Sequence, residues 1–276
     1  VNTFNTQISR ELAAEYGRQA VQITESGEYR APSGGVVNIS HLVKRSINGT
    51  VSYPPGQPFQ ESARGNYQTK ISVENTTTLD TARRLIAEGH RPAVLNFASA
   101  TNPGGGFLGG ARAQEEYLAR SSGLYACIRD NAMYAFHRSR RDPLYTNYAI
   151  YSPDVPVFRQ DDGSLLDAPY TVAIITCPAV NASKIVPERS SETGPAMWLR
   201  ILKVLSIGVK HSHDSIVLGA WGCGAFGNDG SEIAALFHRA LEQNFMGSYR
   251  QVVFAIVDWS RDRKFIGPFQ KAFTVN

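Results

Sequence analysis

The sequence predicts an α/β fold, a three-layer α/β/α domain preceded by a helical extension. Three observations carry this. From about residue 69 onward, strand-like and helix-like segments alternate, which is the order that builds a layered α/β sheet. Several strand candidates are apolar throughout, such as Val172-Ala173-Ile174-Ile175 and the run 252–257, as required when helices cover both sheet faces. Two glycine-rich turns each follow a strand candidate and lead into a helix candidate, at the sheet edge where α/β proteins bind ligands.

The elements follow in order. Residues 6–24 carry Ile8, Leu12, Ala13, Tyr16, Ala20 and Ile23 at helical spacing, and Gly27 closes that helix. Glu28 to Ile39 reads as a hairpin around Ser33-Gly34-Gly35. Tyr53–Pro58 is a Pro- and Gly-rich loop. Near it falls the boundary between an accessory region, residues 1–68, packed on the core, and a catalytic region, residues 69–276. Thr69–Glu74 is a strand and Leu79–Ala87 a helix opened by a Thr or Asp cap. Further strands are expected at 92–98, 147–151, 170–177, 215–220 and 251–257, and helices at 113–126, 194–209 and 231–244. The segment Asp130–Asp167, rich in Arg, Tyr and Pro, fits this scheme least well and reads as an inserted hairpin or long loop.

Composition narrows the function. A hydrophobic fraction of 42% across 276 residues supports a large folded core, and a net charge of +4 favours anionic ligands. The basic residues are scattered without a lysine tract or recognition motif, so no dedicated nucleic-acid site is expected. Cys127, Cys177 and Cys223 are widely spaced with no CxxC pair, which points to a reducing compartment and a cytoplasmic protein. No apolar run is long enough for a membrane span, and Val1–Asn5 lacks the pattern of a secretory signal. No metal or other cofactor is expected, because no ligand cluster stands at suitable spacing; His211-Ser212-His213 reads as a polar helix end.

The chemistry concentrates in two places. Asn102-Pro103-Gly104-Gly105-Gly106 follows the strand ending at Phe97 and precedes, after seven residues, Gln114-Glu115-Glu116. Successive glycines let the backbone pass close to a sugar or phosphate, and the carboxylates sit at a helix start. Acidic residues are also common in first helical turns, so the pair acquires meaning only beside the glycines. The second place is Trp221-Gly222-Cys223-Gly224-Ala225-Phe226-Gly227, leading into a helix at Ser231, where exposed amides and a helix terminus suit an anion. It matches neither a P-loop nor a dinucleotide fingerprint. Phe226 suits packing on a ribose or base, and Cys223 reads as a small packing residue. Tyr134, Arg138, Arg140 and Arg141 read as solvated surface, with contact to a polyanionic chain as the second reading.

Together, the triple glycine, the seven-residue spacer, Gln114-Glu115-Glu116 and the Gly222–Gly227 loop resemble the bacterial-type poly(ADP-ribose) glycohydrolases, a branch of the macrodomain superfamily. The resemblance implies a macrodomain-like mixed sheet and release of ADP-ribose from poly(ADP-ribose), mainly from the terminal end. It implies Glu116 as the catalytic carboxylate, Glu115 as a holder of the distal ribose and Gln114 as the orienter of that pair. Asn102 would bind ribose hydroxyls, while Gly104, Gly105 and Gly106 line phosphate and ribose. Gly222, Cys223, Gly224, Ala225, Phe226 and Gly227 would wrap the diphosphate, with Phe226 orienting the terminal ribose. Adenine is expected near Phe97, Ala98 and Ser99. Partners would be poly(ADP-ribose), ADP-ribose and poly-ADP-ribosylated proteins, and the protein is expected to be a monomer.

Glycosidases ordinarily place two carboxyl groups on either side of the bond. Neighbouring helix residues point about 100° apart, so a single-carboxylate scheme fits better. Glu116 would protonate the leaving ribose oxygen and then activate water, with Glu115 and the diphosphate raising its pKa. A non-catalytic ADP-ribose reader and a mono-ADP-ribosyl hydrolase remain the alternatives. The segment Trp259–Phe269 would either wall off the terminal adenosine ribose or pack only on the core.

Overall fold

The computed structural model describes residues 8–274; the signal-peptide reading of Val1–Asn5 lies outside them, as does the end of the expected 69–276 region. The chain opens with helix α1 (Arg10–Ser26), capped by the Ser9 hydroxyl and stopped by Gly27, whose φ of 75° and N–H to the Ile23 carbonyl close the last turn. A short hairpin follows, β1 (Glu28–Arg30) with β2 (Val36–Asn38). A helix not read from the sequence, α2 (Ser40–Gly49), comes next; the Asn38 side chain accepts from the Ser40 N–H and hydroxyl at its start.

The central sheet has seven strands. They are β3 (Val51–Tyr53), β4 (Lys70–Glu74), β5 (Pro92–Phe97), β6 (Ala149–Arg159), β7 (Leu165–Cys177), β8 (Ser215–Leu218) and β9 (Gln251–Ala255), in spatial order β3-β6-β7-β5-β8-β9-β4. The β7-β5-β8-β9-β4 pairings are parallel, whereas β6 runs antiparallel to both β7 and β3. The sheet is therefore mixed, and β3, from before residue 69, is one of its strands.

Alternation of side chains across the strands divides the core into two faces. On one face Leu95, Ile175, Leu218 and Phe254 pack against α7 (Thr193–Lys210), α8 (Gly230–Arg239) and α9 (Ile266–Phe273). On the other, Val94, Ile174, Val217 and Val253 pack against α3 (Thr78–Ala87), α4 (Gln114–Ser121), α5 (Leu124–Ile128) and α6 (Ala132–Arg140). This is the three-layer α/β/α arrangement with its helical extension. A third, smaller cluster joins Ala20 and Ile23 of α1 and Val43 of α2 to Phe158 of β6.

Several boundaries differ from the sequence reading for identifiable reasons. The helix expected over 113–126 breaks into α4 and α5 because the Gly123 N–H goes to the Pro156 carbonyl at 2.8 Å and Ser122 bridges Val157 of β6. The segment Asp130–Asp167 holds α6, N-capped by Asn131, and most of a long β6–β7 hairpin, so the strand expected at 147–151 runs on to Arg159. The helix expected over 231–244 ends as α-helix at Arg239 and continues as a wider turn over Ala240–Asn244. His211 and His213 stand at the end of α7 and are half-buried there. His211 stacks on Tyr151 at 3.6 Å and shares a hydrogen bond with the Tyr53 hydroxyl at 2.8 Å, while His213 meets the Tyr151 hydroxyl at 2.9 Å.

Candidate active site

The C-terminal ends of β5, β7, β8 and β9 face one cleft. Gln114 fixes α4 to it. The carboxamide oxygen accepts from the Phe97 N–H at 2.9 Å and the amide nitrogen donates to the Leu95 carbonyl at 2.8 Å, so the side chain pairs with the end of β5 as a strand would. A further bond to the Thr78 hydroxyl ties it to α3. The carboxylates that follow are thereby held at the cleft.

Glu115 is 4% exposed. Its Oε2 accepts from the Ser99 N–H at 2.6 Å and its Oε1 from Asn96 Nδ2 at 3.4 Å. Burial pushes its pKa up to about 8; the amide bond from Ser99 opposes this and the neighbouring charge of Glu116 adds to it. The carboxyl that burial lifts is thus Glu115. Glu116 Oε1 accepts from the Gly106 N–H at 2.9 Å, while Oε2 is buried with no hydrogen-bond partner among the described residues.

The triple glycine explains itself sterically. Gly104 and Gly105 have φ of 71° and 60°, in the left-handed region. A Cβ on Gly105 would strike Glu116 Oε1 and lie 3.1 Å from Glu115 Oε2. Both carboxyl groups therefore converge under one glycine rather than facing each other across a bond. The spacer after the glycines is shaped by the extension. Phe107–Gly109 forms a tight turn, Arg10 Nε donates to the Gly109 carbonyl at 2.9 Å, Arg112 donates to the Ile8 carbonyl, and Gly17 lets α1 approach Phe107.

The second glycine loop closes the other side. Gly222 (φ 77°) makes room for Asn228, whose amide donates to the carbonyls of Gly222 and Val180 at 3.0 and 2.8 Å. The Phe226 carbonyl accepts from the Ser183 N–H at 2.9 Å. Gly224 opens to free space, and Asp229 caps α8. Cys223 is buried, with its thiol pushed up to about 12, which suits packing and not nucleophilic attack.

Two connected cavities fill the cleft. One, of about 210 Å³, is lined by Phe97, Ala98, Ser99, Glu115, Glu116 and the 221–226 loop, including Gly222, Gly224, Ala225 and Phe226. The other, of about 350 Å³, shares Phe97, Gln114 and Gly224 with it and extends to Thr76–Thr78, Tyr117, Arg120, Ile256 and Phe265. Asn102 is exposed on the first loop, its carbonyl accepting from the Gly105 N–H. Cys223 and Gly227 shape the second loop without lining either cavity.

Sequence reading missed several supporting residues. Asn96 is a fully buried amide in an apolar strand, which was the available signal. Asp161, at the tip of the β6–β7 hairpin, accepts from the Tyr117 hydroxyl and from the Thr77 hydroxyl; no local pattern marks it, because its partners are distant in sequence. Tyr134 is buried beside Glu115, not solvated. Among the described residues no three His, Cys, Asp or Glu side chains group to hold a metal, and no helix is long and apolar enough to cross a membrane.

A glycine loop over paired carboxyl groups, at the C-terminal edge of a mixed macrodomain-like sheet, defines a glycosidase. The microbial-type PARG catalytic domain matches residues 17–160. The crystal structure of poly(ADP-ribose) glycohydrolase from Thermomonospora curvata is 44% identical, with a TM-score of 0.90 over 95% of this chain and 100% of that one. The same enzyme bound to the inhibitor ADP-HPD is similar to the same extent, at 45% identity and a TM-score of 0.90. The Deinococcus radiodurans enzyme in complex with ADP-ribose is 40% identical, with a TM-score of 0.80 over 86% of this chain and 98% of that one. No curated protein sequence matches. The chain belongs to the microbial-type poly(ADP-ribose) glycohydrolase family.

Proposed function

We infer that the protein hydrolyses the ribose–ribose O-glycosidic bonds of poly(ADP-ribose), releasing ADP-ribose mainly from the terminal end. One observation carries the chemical reading: Glu116 lines the smaller cavity, with one carboxyl oxygen held by the Gly106 amide and the other buried without a hydrogen-bond partner among the described residues. Glu116 gives its proton to the leaving 2′ oxygen as the C1″–O bond breaks. The anomeric centre becomes oxocarbenium-like, and water then attacks it, returning a proton to the Glu116 carboxylate. Glu115, protonated near neutrality, adds little charge to repel Glu116 and offers its carboxyl to the distal ribose.

The two cavities support an extended ADP-ribose pose. The distal ribose lies in the smaller one between Glu116 and Phe226, with Gly104–Gly106 beside phosphate and ribose and the Gly222–Gly227 loop around the diphosphate. Asn102 meets ribose hydroxyls at the rim. The adenosine end occupies the larger cavity between Phe97, Tyr117 and Phe265. Inhibitor and ADP-ribose complexes of the two bacterial enzymes support this ligand class.

Residues 1–68 act as an accessory region and 69–276 as the catalytic unit, with β3 contributing a strand across that boundary. The three free thiols support a reducing, cytoplasmic setting, in which the protein works as a monomer on poly-ADP-ribosylated proteins. Incubation with labelled polymer, and separately with mono-ADP-ribosylated protein, tests the reading. Release of ADP-ribose from polymer is expected, and turnover of the mono-modified protein alone would overturn it.

A further inference from the structure

Next to Phe226, which lines the smaller cavity, and to Thr101 of the first glycine loop lies a basic and aromatic surface that the reaction so far leaves unused. Helix α6 ends in Arg138 and Arg140, and Arg141 follows in a left-handed conformation with φ of 52°. All three side chains are exposed, and none forms an ion pair among the described residues. The nearby carboxylate of Asp142 is already neutralised by Arg189 at 3.3 Å.

This surface is joined to the site at two points. Arg138 donates to the carbonyl of Thr101, next to Asn102, at 2.6 Å. Tyr145 stands 6.3 Å from Phe226, the two rings tilted by 46°. The loop that carries Tyr145 is rigidly built. Tyr145 itself has φ of 54°, Arg200 donates to the Leu144 carbonyl, and the Asn181 N–H donates to Pro143. His137, driven down to about 4 by burial and hence neutral, bonds the Thr146 hydroxyl at 2.8 Å and carries the Tyr145 ring at 5.6 Å. A strained loop held from three directions fits a surface that must present one ring in one place.

We propose that Tyr145, Arg140 and Arg141 form a subsite for the leaving unit, the ADP-ribose that remains on the polymer after cleavage. This rests on the glycohydrolase reading above. The leaving group there is an adenosine bearing a diphosphate. Its base offers a face to Tyr145, and planar guanidinium groups suit its phosphates better than lysines would. Arg138 acts differently, bracing the first glycine loop through Thr101.

The test compares binding of ADP-ribose and of a two-unit ADP-ribose dimer to the E116Q variant, which holds substrate without turning it over. The dimer is expected to bind roughly tenfold more tightly, in keeping with one base stacked and a few phosphate contacts. That advantage should shrink on raising salt. Adding Y145A, R140Q and R141Q should erase it while leaving monomer affinity within about twofold, since base stacking and phosphate contacts belong to the second unit. Equal binding of monomer and dimer to E116Q, or an advantage insensitive to salt, would overturn the subsite without needing the added substitutions to fold. Failure of the wild type to cleave polymer would instead refute the glycohydrolase reading.

Discussion

The Gln114 carboxamide pairs with the Phe97 N–H and, two residues earlier on the same strand, with the Leu95 carbonyl. A side chain thus continues the hydrogen-bonding edge of β5 and sets the height at which α4 begins, one residue before the first carboxyl group. Gln114→Glu keeps the shape but cannot donate to Leu95. It is expected to lower kcat/KM by about tenfold or more, each lost buried bond being worth roughly 1 kcal/mol or above. A Glu variant with wild-type rate and melting temperature would remove Gln114 from its positioning role.

Glu116→Gln should abolish measurable turnover, a loss of at least about 10²-fold, because an amide cannot cycle a proton. ADP-ribose affinity, read by calorimetry, should change little. Glu115→Gln should weaken substrate binding and rate together without the same collapse. Wild-type turnover by the Glu116 variant would rule out the proton-transfer scheme.

What the sequence could say about this site follows from distance along the chain. Both glycine loops, both carboxyl groups and Gln114 were legible because each motif is local and falls at a strand end. Asp161, Tyr117 and Thr77 form their triad from three separate elements, so no spacing announces it. In the structure Glu115 and Glu116 converge on Gly105 rather than facing one another across a bond. The burial that raises Glu115 was not legible, since it depends on what packs over a residue. The α2 and α6 helices were hidden by polar and aromatic composition, and their starts are fixed by asparagine bonds that look like ordinary turn chemistry.

Stability should fall as pH rises from about 4.5 towards 8. Glu115 is held near 8 in the folded chain against the usual 4.5, so the folded state binds the proton more tightly across that window. The stabilisation is complete below the lower value and is lost as pH climbs through the upper one. Melting temperatures of wild type and Glu115→Gln, followed across this range, should converge on a flatter profile for the variant. Identical slopes would show that Glu115 is not the group responsible.

Gly105→Ala combines a left-handed φ with a Cβ directed at the Glu116 carboxyl. The backbone strain alone is about 1–2 kcal/mol, and the carboxyl must also move. Activity should drop by more than about tenfold, since a small displacement of a positioned catalytic group is costly. Gly109→Ala, where an added Cβ meets nothing within 4 Å, serves as the control. Equal activities for the two variants would contradict this.

The proposed terminal-end preference would rest on the segment after β9. Asp258 accepts from the N–H groups of Ser260, Phe265 and Ile266, folding the segment so that Phe265 lines the larger cavity. Ile266 and Phe269 are buried in the core, so this tail packs on it, and removing it would unfold α9. Phe265→Ala is the cleaner change. Early digestion products of long polymer should be almost entirely single ADP-ribose units in the wild type and include oligomers in the variant. Oligomers dominating from the wild type would refute terminal cleavage.

The first helix reaches further than its place in the chain suggests. Arg159, at the base of the hairpin tip, lies over the Tyr16 ring at 4.3 Å and donates to Gln19, and the same tip presents Asp161 to Thr77 and Tyr117 at the larger cavity. Loosening α1 and loosening that cavity wall are therefore linked equilibria, and linkage is reciprocal. A ligand that fills the cavity disfavours the opening of a helix it never touches, and drift in residues 10–26 retunes affinity with every contacting side chain unchanged.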